Sequence, residues 1–134
     1  MVRVQGAAGD PATHLKNRIG EPAANPYLYL ASQLTAGLDG VHRELDPGLP
    51  SDTPYAATDR PELPKTLAAA LDALRTDRFF RKVFGDEFVD LFLRLEDSNL
   101  ARFREFARER QLGADAESGD TVTEWEQREY FDLF

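Results

Sequence analysis

Four side chains near the start of the sequence carry positive or potentially positive charge at alternating spacing: Arg3, His14, Lys16 and Arg18. Residues two apart on a β-strand project to the same face, so His14, Lys16 and Arg18 share one side, and a partner strand containing Arg3 adds to it. The chemistry such a face offers is anion binding. Arginine presents a planar fork that matches paired carboxylate or phosphate oxygens, and lysine supplies a compact point charge. A charged strand face is more often only solvated, so spacing alone leaves both readings open. The second histidine, His42, falls on the outer side of a predicted helix and reads as solvated. Two histidines so placed make neither a Ser-His-Asp arrangement nor a metal cluster.

The elements that must position these cations follow from local pattern. Val2 and Val4 alternate with Arg3 and Gln5, Gly6 to Pro11 is turn-rich, and alternation resumes with Leu15 and Ile19. Residues 1–19 are therefore expected to form a β-hairpin, with Val2 opposite Leu15, Val4 opposite Thr13 and Arg3 opposite His14. Asn25-Pro26 is an N-cap followed by proline at the first helical position. Tyr27, Ala31, Leu34, Leu38, Val41 and Leu45 then make one apolar stripe about five turns long. Asn25, Tyr27 and Leu28 read as cap and core. Gly37 and Gly40 inside that helix are expected to admit another backbone closely.

Five of the eight prolines, Pro47, Pro50, Pro54, Pro61 and Pro64, mark an irregular connection over 46–64. Beyond it, Leu67, Leu71 and Leu74 predict a short helix that Pro64 starts and that ends near Asp77. Phe79, Phe80, Val83 and Phe84 predict an apolar turn before Gly85, and Phe88 to Phe106 a long helix from about Asp86 to Arg110. Gly113 to Asp120 reads as a loop. Thr123 and Glu126 have capping-box spacing, and a final aromatic-rich helix with Trp125, Tyr130, Phe131, Leu133 and Phe134 runs to the terminus. The fold class is α+β, an N-terminal hairpin followed by a mainly helical segment over 25–134.

Composition bounds the function. With 134 residues, 42% of them hydrophobic and 30% charged, the chain suits one folded domain. Sixteen Lys and Arg against 24 Asp and Glu give a net charge of −8, which excludes nucleic acid as the main partner. There is no cysteine, hence no disulfide, thiolate metal site or thiol nucleophile. No stretch approaches the roughly 18 to 20 apolar residues of a membrane span, and no secretory pattern opens the sequence. No membrane partner is expected, and a cytoplasmic location is the default.

The run Arg18-Ile19-Gly20-Glu21-Pro22-Ala23-Ala24-Asn25-Pro26-Tyr27-Leu28, followed by Ala36-Gly37-Leu38-Asp39-Gly40, resembles the last third of the glutamine synthetase family. There an R-x-x-x-P-x-A-N-P-Y-L run leads into a helix ending in A-G-L-D-G. Thr123-Glu124-Trp125-Glu126 and Glu129-Tyr130-Phe131 also resemble the end of family members, and 108–121 reads as an insertion. The resemblance implies a ligase that activates glutamate with ATP to γ-glutamyl phosphate and aminates it, using Mg2+ or Mn2+ held by carboxylates. It implies that Arg18 binds the glutamate side-chain carboxylate, that Arg3 lies near the transferred phosphate, and that His14 stands where many members have an arginine near the nucleotide phosphates. Glu21 has the family's loop position without a motif that gives it a role. Lys16 departs from the pattern, occupying the position of a glutamate that coordinates a catalytic metal. An ammonium has no lone pair to offer and repels a divalent ion, so no metal ligand is assigned in this chain and its metal binding is expected to be poor.

A two-stranded hairpin is marginal alone, and Met1 opens directly into Val2-Arg3-Val4. The chain is accordingly expected to be the C-terminal part of a larger catalytic domain, inactive alone and completed by a missing N-terminal portion or homologous subunits. A self-contained small α+β domain is the alternative architecture. Three rivals follow for function: a subunit of a split ligase, a noncatalytic helical module that binds a full-length relative, and a nonfunctional product.

Overall fold

In the computed structural model, which describes residues 2–21, 23–51, 53, 61–113, 116 and 122–131, the chain divides into two compact units, 1–46 and 47–134. Met1, Pro22, Pro54, Leu133 and Phe134, and most of residues 114–121, lie outside the described residues. The class is α+β, with two strands and then five helices among the described residues.

In the first unit, β1 (Val2–Gln5) and β2 (His14–Asn17) form a two-stranded antiparallel sheet. The register pairs Val2 with Asn17, Arg3 with Lys16, Val4 with Leu15 and Gln5 with His14. It is two residues away from the sequence expectation, and the turn supplies the reason. Thr13 Oγ1 donates to the Ala7 carbonyl at 2.7 Å, and the Thr13 N–H donates to the Asp10 carbonyl at 3.0 Å. Asp10 Oδ1 accepts the Ala12 N–H at 2.8 Å. Thr13 is thereby committed to the turn and cannot stand opposite Val4. The displacement is even, so every side chain keeps its expected face.

Helix α1 (Pro26–His42) starts as the sequence predicts, with Asn25 Oδ1 accepting from the Tyr27 N–H at 3.0 Å and the Leu28 N–H at 3.2 Å. It ends earlier than the apolar stripe. Glu44 takes a φ of 50°, and the N–H groups of Leu45 and Glu44 return to the carbonyls of Gly40 and Val41, the reciprocal pair of a Schellman stop. The stripe does not form a core: Tyr27 is 82% exposed, Leu34 66% and Val41 71%. No atom within 4 Å would meet a Cβ at Gly37 or Gly40, so the close packing expected there is absent among the described residues.

The second unit builds its core on α4 (Asp86–Glu109), against which α2 (Leu67–Thr76) and α3 (Arg78–Phe84) pack. Leu71, Val89 and Leu93 are buried together, with Leu74, Phe84 and Leu100 against them. Thr66, not Pro64, caps α2, its side chain accepting from the Ala69 N–H. Helix α5 (Glu124–Phe131) carries the predicted capping box, with Glu126 Oε2 accepting from the Thr123 N–H at 2.7 Å and the Glu126 N–H donating to Thr123 Oγ1 at 3.3 Å. It docks through Trp125, edge-on to buried Phe103 at 5.4 Å, and through a two-pronged Arg102–Glu129 pair at 2.7 Å.

Gly6 has a φ of 95°, and a Cβ there would lie 2.7 Å from Thr13 Cα; Gly9 has a φ of 84° but open space around it. Gly6→Ala is therefore expected to destabilise the hairpin by on the order of 1–3 kcal/mol, and Gly9→Ala by less. Hydrogen exchange should accelerate across the β1–β2 ladder in Gly6→Ala and stay unchanged in α4. Equal protection of the ladder in both variants would contradict the role given to this turn.

Candidate anion-binding site

Because opposed residues share a face, the register sets Arg3, Gln5, His14 and Lys16 on one side of the sheet and Val2, Val4, Leu15 and Asn17 on the other. Arg3 and Lys16 are direct cross-strand partners, a like-charge pair that is unfavourable without a counterion. Their side chains, and that of Arg18, are exposed and have no ion-pair or hydrogen-bond partner among the described residues. His14 differs. Its Nδ1 lies 2.7 Å from the Ala12 carbonyl and its Nε2 3.1 Å from Gln5 Oε1, so both ring nitrogens are engaged inside the hairpin. The role of Gln5 as holder of this ring was not read from the sequence, although its alternation with Arg3 already placed it on the same face.

Arg18 comes after the last ladder residue. The Ile19 N–H donates to Asn17 Oδ1 at 3.0 Å, and Asn17 Nδ2 donates to Gln33 Oε1 of α1 at 2.5 Å. Asn17 thus bends the chain out of the sheet with its oxygen and ties it to the helix with its nitrogen. Arg18 sits on that bend, positioned by the Asx turn and not by strand alternation. Gly20 passes under the ring of Tyr29, where a Cβ would lie 2.7 Å from Cζ.

The carboxylates nearby in sequence are occupied elsewhere. Asp10 caps the hairpin turn, and Glu21 Oε1 accepts from the Ala23 N–H at 3.4 Å. In the second unit several arginines are matched with acids. Arg75 bonds Asp97 at 2.5 Å, and Arg81 reaches Asp90 at 2.9 Å and Asp86 at 3.2 Å. Hydrogen bonds to Asp97 and to Asp90 hold the Arg75 and Arg81 guanidinium groups above their ordinary pKa. The hairpin is thus a cation-bearing surface on a chain of net charge −8.

This donor set suits phosphoryl or carboxylate oxygens. It does not suit a divalent cation, which takes oxygen donors of the carboxylate type. The face offers two cationic groups, an amide and an imidazole already engaged, and no group of three or more His, Cys, Asp or Glu occurs among the described residues.

Comparison with known proteins sets this site in context. The family model described as glutamine synthetase, catalytic domain, matches residues 1–113. A gamma-glutamylanilide synthase from Acinetobacter sp is 52% identical over 135 residues, covering 99% of this chain and 26% of the relative. A glutamine synthetase from Salmonella typhimurium is 37% identical over 112 residues, 77% of this chain and 24% of the relative. Human lengsin is 36% identical over 104 residues, 76% of this chain and 20% of the relative. The chain thus spans about a quarter of the length of these relatives.

Asn17→Ala removes both the bend and the tie to α1. An exposed neutral hydrogen bond contributes about 0.5–1.5 kcal/mol, so the Ile19 amide should exchange roughly 2- to 12-fold faster in this variant. Unchanged exchange at Ile19 would show that Asn17 does not position Arg18.

Proposed function

The chain belongs to the glutamine synthetase family, and from that premise we propose that it is the C-terminal part of an ATP-dependent ligase joining an amine to the γ-carboxylate of glutamate through γ-glutamyl phosphate. The observation that carries this reading is the unpaired cationic face of the hairpin, tied through Asn17 to the Asn25-capped helix. In it Arg18 holds the glutamate carboxylate, Arg3 lies near the transferred phosphate, and His14 stands on the side that meets the nucleotide phosphates. ATP supplies the phosphoryl group that activates glutamate, and these side chains bind and orient anions. The Mg2+ or Mn2+ of the family's chemistry is held by other carboxylates, since Lys16 and its neighbours do not fit it.

The acceptor is an amine in preference to ammonia, a choice supported by the higher identity to a relative named for γ-glutamylanilide than to those named glutamine synthetase. The reading further includes a cytoplasmic, oligomeric enzyme of nitrogen metabolism whose partners are homologous subunits or a separate N-terminal portion. The chain alone is inactive, because phosphoryl transfer depends on a complete positioning shell.

A second reading is favoured by one observation, the exposed apolar stripe on α1. In it the chain is a noncatalytic module that covers this stripe by binding a full-length relative.

The test is reconstitution. The chain is mixed with a version of the Acinetobacter relative that lacks the matched quarter, and ADP release is followed with ATP, Mg2+, glutamate and aniline. The ligase reading expects no turnover from either piece and turnover from the mixture, lost by at least about 100-fold with Arg18→Ala. A stable complex without turnover would sink that reading and leave the noncatalytic one.

A further inference from the structure

Of Arg3, His14 and Arg18, only the last lies outside the β1–β2 ladder, because β2 ends at Asn17. Its backbone is held instead by helix α1. On one side of it, Asn17 Nδ2 donates to Gln33 Oε1 at 2.5 Å while Asn17 Oδ1 accepts from the Ile19 N–H. On the other side, Gly20 lies against the ring of Tyr29, where a Cβ would stand 2.7 Å from Cζ and 2.9 Å from Cε2. Gly20 is not among the glycines of positive φ, so it serves this close approach and not a special backbone conformation. Tyr29 and Gln33 are four residues apart and therefore lie one above the other on one face of α1. Both are partly buried, whereas Tyr27, Leu34 and Val41 of the same helix stand open. One helix face thus grips the chain before and after Arg18-Ile19. An arginine fork matches a carboxylate only when its direction is held, and a misplacement of about 1 Å can cost roughly 100-fold in rate.

We propose that Tyr29 and Gln33 are positioning residues that clamp residues 17–20 and so set the direction in which the Arg18 guanidinium meets the substrate carboxylate. Gln33 acts through Asn17 by a hydrogen bond, and Tyr29 acts through Gly20 by contact of its ring. The identity of the substrate rests on the ligase reading; the clamp itself stands on the contacts.

The experiment has two arms, kinetics of the reconstituted mixture and amide NMR of the full 134-residue chain. Gln33→Met keeps the side-chain length without the amide oxygen, and Tyr29→Ala removes the ring. In each, kcat/KM for glutamate should fall about tenfold while KM for ATP stays within about twofold of the parent value. Tyr29→Phe, which keeps the ring, should restore kcat/KM. The Gln33→Met loss should vanish in an Asn17→Ala background, as expected of two residues acting through one bond. On the chain alone, exchange of the Ile19 amide should quicken roughly 2- to 12-fold in Gln33→Met. The ring-current shift of the Gly20 α-protons should disappear in Tyr29→Ala and persist in Tyr29→Phe. Turnover with kcat/KM for glutamate unchanged in either variant would overturn the clamp and leave the ligase reading. An equal rise in KM for ATP would show general loss of structure and would overturn it too. Absence of turnover from the parent mixture would remove the ligase reading, and the two NMR signals then decide the clamp: both moving supports it, and either one unmoved overturns it.

Discussion

Thr13 sets the geometry of the first unit. With its hydroxyl on the Ala7 carbonyl, its N–H on Asp10 and its Cα beneath Gly6, it belongs to the turn and starts the ladder at His14. From that follow the Arg3–Lys16 and Gln5–His14 pairs, and from the second pair the engagement of the imidazole. Had Thr13 stood opposite Val4, Arg3 would have met His14, and Lys16 would have lain beyond β1. The same cations would then share a face without the direct opposition that makes their charge a local problem. An intra-turn hydroxyl bond thus decides the electrostatics of the opposite end of the hairpin.

The apolar side of the first unit poses a complementary constraint. Val4 and Leu15 face one another with more than half of each exposed, and Tyr27, Leu34 and Val41 stand open along α1. No described residue of that unit's helix is buried, whereas the second unit encloses Leu71, Val89 and Leu93. Large contiguous apolar patches are uncommon on monomeric proteins and mark interaction sites. Gly37 and Gly40 each cost the helix about 1 kcal/mol relative to alanine, and nothing among the described residues lies within 4 Å of where a Cβ would stand at either. The chain spans about a quarter of the length of the relatives it matches.

What the sequence made legible, and what it did not, divides along the range of the interaction. Asn25 with Pro26 and Thr123 with Glu126 act within one helical turn, and both caps form as their spacing predicts. The boundaries of α3 and α4 follow likewise from Asp77, Gly85 and the spacing of the phenylalanines. The register did not follow, because a hydroxyl bond inside an eight-residue turn has no periodic signature. The end of α1 was also hidden: Glu44 takes the left-handed conformation that usually signals itself through glycine. The stripe from Tyr27 to Val41 was legible as a face to be covered, but a pattern of apolar residues does not say whether the cover lies within the same chain. The face of the candidate site was legible by alternation, whereas the opposition of Arg3 to Lys16 and the bend at Arg18 needed the register and the Asx turn.

The chemistry of position 16 can be argued from charge alone. A divalent ion near this face would meet Lys16 and Arg3, and the carboxylates closest in sequence, Asp10 and Glu21, are turned to backbone N–H groups. Without a lone pair from Lys16, attraction to such an ion would have to come from donors outside the hairpin, working against two positive charges. A polyphosphate meets the reverse balance, with oxygens that both side chains can contact. The sign of the charge on this face therefore opposes a divalent ion before any detail of coordination enters. Where two groups of a binding site have the same sign as the ion they would hold, the simplest consistent assignment is the ligand of opposite sign.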